Sequence, residues 1–124
     1  MTLENSVLDN VKLDVTHFDS FDLENKVMEL LVQAGSARSV LLSALREARS
    51  GNITQAHSLV EEAKLFISAA HKIQTELIGM DEGSGKIPVS LILVHAQDHL
   101  MNAMLIQELA SDMIELYRRN PQGD

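Results

Sequence analysis

Cysteine and tryptophan are absent from this sequence, and other aromatics are scarce, with three Phe and one Tyr. Without cysteine there is no disulfide framework and no thiolate metal site, a composition that fits a reducing cytoplasm. Long apolar runs are missing too. None exceeds Leu91–Val94, far short of the roughly 20 residues that cross a bilayer as a helix. The start, Met1-Thr-Leu-Glu-Asn5, has neither a basic stretch nor an apolar one, so no signal peptide and a cytoplasmic location are expected. Basic residues are outnumbered 10 to 18 by acidic ones, a net charge of −8. That balance argues against sequence-independent binding to nucleic acid.

The acid is concentrated at one end. Residues 1–24 carry Glu4, Asp9, Asp14, Asp19, Asp22 and Glu24 against Lys12 alone. Residues 1–18 have no sustained apolar period and read as a mobile acidic extension. The expected domain covers 19–119, and 120–124 form a short tail. A chain of 124 residues has room for one such domain.

Within 19–119 the pattern is helical. Asp19 or Ser20 can cap a first helix, with Phe18 and Leu23 as a hydrophobic staple. Val27, Leu30, Ala34, Ala37, Leu41, Ala44 and Ala48 then follow at alternating steps of three and four. They form an apolar stripe whose alanines let helices approach closely. Gly51 suits the left-handed position past a helix end. Asn52 and Gln55 have the spacing of a capping box for a second helix, whose stripe is Ala56, Leu59, Ala63, Phe66, Ala70, Ile73 and Leu77. Gly79–Gly85 reads as a loop, and Pro88 is expected in the first turn of a third helix that ends near Arg119. Short connections between long helices imply an all-α fold, an antiparallel up-down-up three-helix bundle.

The third helix has more apolar surface than a monomer can bury. One stripe is Ile92, Ala96, His99, Ala103, Ile106, Ala110, Met113 and Tyr117. A second is Leu91, Val94, Met101, Leu105, Leu109 and Leu116, all within about 60° of Asp98 at 100° per residue. A helix apolar nearly all round is buried on more than one side, so self-association through the Asp98 stripe is expected.

The polar cluster His95-Ala-Gln-Asp-His99 admits three readings. His95 and His99, at i and i+4, share a helix face and with Asp98 and His71 could bind zinc, but no cysteine is available to complete such a site. Each residue could instead be structural, with Asp98 fixing register in a seam. The third reading is phosphoryl transfer: a neutral imidazole near pH 7 is a competent nucleophile. Gln97, His99, His71 and Gln74 are suitable donors to phosphoryl oxygens, and Asp98 must point away from His95 or be neutralised.

Val89-Ser-Leu-Ile-Leu-Val-His-Ala-Gln-Asp-His-Leu-Met101 resembles the active-site helix of the lactose/cellobiose IIA family of the sugar phosphotransferase system. Ala34-Gly-Ser-Ala-Arg-Ser39, Arg49-Ser-Gly-Asn52, Ala70-His-Lys-Ile-Gln-Thr75 and Ile114-Glu-Leu-Tyr117 resemble other motifs of that family. The resemblance covers roughly residues 25–119. It implies that His95 is phosphorylated, and that Asp98 lies on the axis of a nine-helix homotrimer where three copies share a divalent metal. Oxygen ligation suits Mg²⁺, Ca²⁺ or Mn²⁺, with Mg²⁺ expected. It also implies HPr as donor, a IIB component as acceptor and, beyond it, a membrane IIC permease. The active-site stretch and the acidic N-terminus are closer to the cellobiose/diacetylchitobiose branch than to the lactose branch. The alternative from another class is a helical oligomerisation or regulatory module without phosphoryl transfer.

Overall fold

The structure, a computed structural model, describes residues 20–121. The extension expected over 1–18, the cap at Asp19 and the staple residue Phe18 lie outside them. Three helices make up the fold: α1 Ser20–Arg49, α2 Ile53–Asp81 and α3 Leu91–Arg119. They form the expected up-down-up bundle. α1 packs along both other helices, and α2 and α3 meet over a narrower seam.

The α1 stripe behaves as its spacing predicts. Val27, Leu30, Ala34, Ala37, Leu41, Ala44 and Ala48 are all buried. They divide the core into two halves. Toward the start of α1, Val27, Leu30 and Ala34 meet Ala70, Ile73 and Leu77 of α2 and Ala96 and Leu100 of α3. Toward its end, Leu41 and Ala44 meet Val60, Ala63, Ala103 and Ile114. On α2 the buried face is wider than expected. Val60 and Ile67 are buried beside Ala56, Ala63 and Ala70, while Leu59 and Phe66 stay half-buried. On α3 the buried line is rotated toward Ala96, Leu100, Ala103, Ala110 and Ile114, leaving Ile92 and Met113 exposed.

The ends of the helices correct several expectations. Ser20 is already helical rather than a cap. Gly51 adopts the left-handed conformation at φ 92°, as a helix stop requires. Asn52 does occupy the N-cap of α2, but its side chain makes no cap bond. Its amide instead donates to Glu47 Oε2 at 2.7 Å, because the turn lays it against the end of α1, and the capping box is not formed. α2 runs through Gly79 to Asp81, three residues into the expected loop. It stops at Glu82, whose left-handed backbone donates to Ile78 O and Gly79 O. Pro88 lies outside α3. The helix starts at Leu91 because Ser90, in extended conformation, accepts the Leu93 N–H on its hydroxyl at 3.2 Å.

Asp81 organises the connection between α2 and α3. Its carboxylate accepts from Ile87 N at 2.9 Å and Gly85 N at 3.4 Å. Ile87, buried, pins the loop to the bundle. Together these contacts fix where α3 begins and thereby the height of the histidines on it.

Candidate functional site

His95 lies in the second turn of α3 and is exposed, and His99, one turn on, is half-buried. Their rings meet edge to face, with centroids 4.5 Å apart and planes at 80°. Nδ1 of His99 is buried and has no hydrogen-bond partner among the described residues. The pair stands on the flank of α3 nearest α1: His99 borders a shallow depression lined from α1 by Leu31, Gly35, Arg38 and Ser39.

Gln97 occupies the opposite flank. Residues two apart on a helix do not face each other, so Gln97 turns toward α2, where its Oε1 accepts from Gln74 Nε2 at 2.5 Å. His71, one turn before Gln74 on α2, is exposed, and its carbonyl accepts the Thr75 hydroxyl at 3.0 Å. Within one chain the structure therefore brings His95 to His99 and Gln97 to Gln74, but not the two pairs to each other.

Asp98 is exposed, and so is the stripe around it. Leu91, Val94, Met101, Leu105, Leu109 and Leu116 range from 48% to 86% exposed. The bundle leaves this face uncovered because α3 spends its other flanks on α1 and α2. Among the described residues, no group of three or more His, Asp or Glu could hold a metal ion within one chain. A single carboxylate on an apolar face supplies at most a share of a metal site. Among the described residues, no helix is long and apolar enough to cross a membrane.

Residues 25–118 match the family model described as "PTS system, Lactose/Cellobiose specific IIA subunit". The chain belongs to this IIA family of the sugar phosphotransferase system. Among its IIA relatives, the N,N'-diacetylchitobiose-specific EIIA component of Escherichia coli K12 is 42% identical over 112 residues, 90% of this chain and 95% of the relative. The crystal structure of the cellobiose-specific enzyme IIA from Bacillus anthracis is similar with a TM-score of 0.74 at 40% identity, covering 81% of this chain and 93% of that one. A solution structure of the Escherichia coli chitobiose IIA in complex with HPr is similar with a TM-score of 0.67 at 43% identity, covering 78% of this chain and 94% of that one.

The α1 side of the IIA site was not singled out as functional by sequence reasoning. Ala34–Ser39 stands out as a motif, but only the packing of α1 against α3 shows that Gly35 and Arg38 line the same depression as His99.

Proposed function

We propose that this IIA protein is the phosphocarrier for uptake of a β-linked disaccharide of the cellobiose or diacetylchitobiose type, that it takes a phosphoryl group from phospho-HPr on His95, and that it passes it to a IIB component serving a membrane IIC permease. The observation that carries this reading is the exposed His95 ring in edge-to-face contact with half-buried His99, in a chain of the IIA family. The names of the relatives support the sugar class and the donor.

His95 acts as a neutral nucleophile. A phosphorus–nitrogen bond to the ring forms as the bond from phosphorus to the donor breaks, and the electron pair leaves with the donor. The proton on the far ring nitrogen of His95 becomes acidic and is released, and the departing donor takes one up. No electrons are gained or lost. Transfer onward to IIB reverses these roles.

The exposed stripe around Asp98 supports a homotrimer of nine helices, three from each copy. Around the axis of α3, His95 lies about 60° to one side of Asp98 and Gln97 about 100° to the other. In a cyclic assembly each α3 turns one flank to one neighbour and the other flank to the next. His95 of one copy then faces the Gln97 flank of another, so Gln97 and Gln74, and His71 behind them, act on the phosphoryl group from the neighbouring subunit. His99 acts from the same chain. Three Asp98 carboxylates on one axis repel and suit a shared divalent cation with hard oxygen ligands, Mg²⁺ above the others. Such an ion would stabilise the assembly and takes no part in the transfer.

Incubation with phosphoenolpyruvate, the first enzyme of the system and HPr tests the reading. The intact mass of the chain rises by one phosphoryl group. No rise with all components active returns the molecule to an oligomerisation module.

A further inference from the structure

We propose that Arg38 of α1 is the cation that holds the phosphoryl group on His95. The inference rests on the phosphocarrier reading above and adds a residue to it. A phosphoryl group on an imidazole brings a charge of about −2, and none of His71, Gln74, Gln97 and His99 is a permanent cation. A site built only from neutral donors lacks the charge-assisted bonds that hold phosphates most firmly.

Three observations point to Arg38. First, it lines the same depression as His99, and His99 touches His95 edge to face. Second, it is exposed and uncommitted. Among the described residues it has no ion pair or hydrogen bond, whereas Lys26, Lys64, Lys86, Arg118 and Arg119 each pair with a glutamate. Arg46 and Arg49 lie two and three turns farther along α1, away from the histidines, and Lys72 lies on α2 and does not line this depression. Third, the way to the histidines is open. Helical side chains lean toward the N-terminus, which carries the Arg38 guanidinium over the turn of Ala34 and Gly35. Ala34 shares a core cluster with Ala96 and Leu100, the residues following His95 and His99. That turn and the histidine pair therefore belong to the same half of the bundle.

Gly35 completes the case. Glycine is unfavourable inside a helix, and packing within one chain does not require this one: a Cβ there would meet nothing within 4 Å among the described residues. It leaves the depression that Arg38 and His99 share without a side chain at that position, so a planar guanidinium can reach across and bind phosphoryl oxygens with two parallel donors.

The test is the equilibrium of phosphoryl exchange between phospho-HPr and the protein, measured from both directions by intact mass. That constant depends only on the free phosphorylated and unphosphorylated species. A residue that merely docks HPr changes rates and leaves it alone. R38Q is expected to shift the equilibrium toward phospho-HPr by about tenfold, with R38K between R38Q and wild type, and with helicity unchanged in both. An unchanged equilibrium, with or without slower exchange, overturns the proposal. Failure of the wild-type chain to accept phosphate, or acceptance elsewhere than His95, defeats the phosphocarrier reading instead.

Discussion

The ring of His95 meets the ring of His99 edge to face at 4.5 Å, one turn apart on α3. His99 is the deeper of the two, with a buried Nδ1 that no group among the described residues satisfies. Its ring is the one against which the exposed ring of His95 rests. Replacing His99 with alanine is expected to slow phosphorylation of His95 by about tenfold or more, the scale of losing one positioned donor. Rapid-quench phosphorylation by phospho-HPr measures it. Wild-type rates in H99A would show that His99 neither positions His95 nor binds the phosphoryl group.

Asp81 ties the α2–α3 connection by accepting from Ile87 N and Gly85 N. D81A leaves a partly buried N–H without its acceptor, and is expected to cost about 1–3 kcal/mol of stability. Urea unfolding checks the size. An unchanged midpoint would mean that burial of Ile87 alone holds the loop.

At the far end of α3, Glu115 bonds Arg118 and Arg119. The hydrogen bond from Arg118, then that from Arg119, holds its carboxyl down from 4.5 to about 2. A depressed carboxyl contributes stability above its ordinary value that is lost as pH falls toward the folded one. Both arginines are exposed and Glu115 is only half-buried, so the cluster contributes little, and salt screens it. The Tm advantage of wild type over E115Q is expected to be small at neutral pH, to shrink between pH 4.5 and 2, and to fall further in high salt. An advantage that grows on acidification would contradict this.

Asp98 sits in the middle of an exposed apolar face. Burying three such carboxylates on an axis is costly unless a cation or protons offset the charge. D98L is expected to remain trimeric in sedimentation, to gain about 1–4 kcal/mol, and to ignore chelators. Wild type is expected to lose stability when chelator is added near neutral pH. A monomeric wild type, or a trimer that D98L dissolves, would remove Asp98 from an axis.

The α1 stripe could be read residue by residue because alternating steps of three and four have one helical solution, and all seven positions are buried. The surplus stripe on α3 was legible for the same reason. The ends of helices were less so. Proline suits a first turn in general, but Ser90 captures the Leu93 N–H and sets the start of α3 beyond Pro88. Asn52 has the right type for a box, yet Glu47 across the turn competes for its amide. The split of the candidate donors was hidden because His95 and Gln97, only two positions apart in sequence, lie on opposite flanks of one helix. Arg38 was hidden because its relation to His99 exists only once α1 and α3 pack.

The most direct measurement is to locate the phosphate itself. The chain, phosphorylated through HPr and kept alkaline to preserve phosphohistidine, is fragmented without loss of the phosphoryl group, and the modified residue is read from the fragment masses. The phosphate is expected on His95 alone, and H95A is expected to carry none. Phosphate on His99, His71 or His57, or an H95A chain modified like wild type, would contradict the assignment of His95 as the carrier.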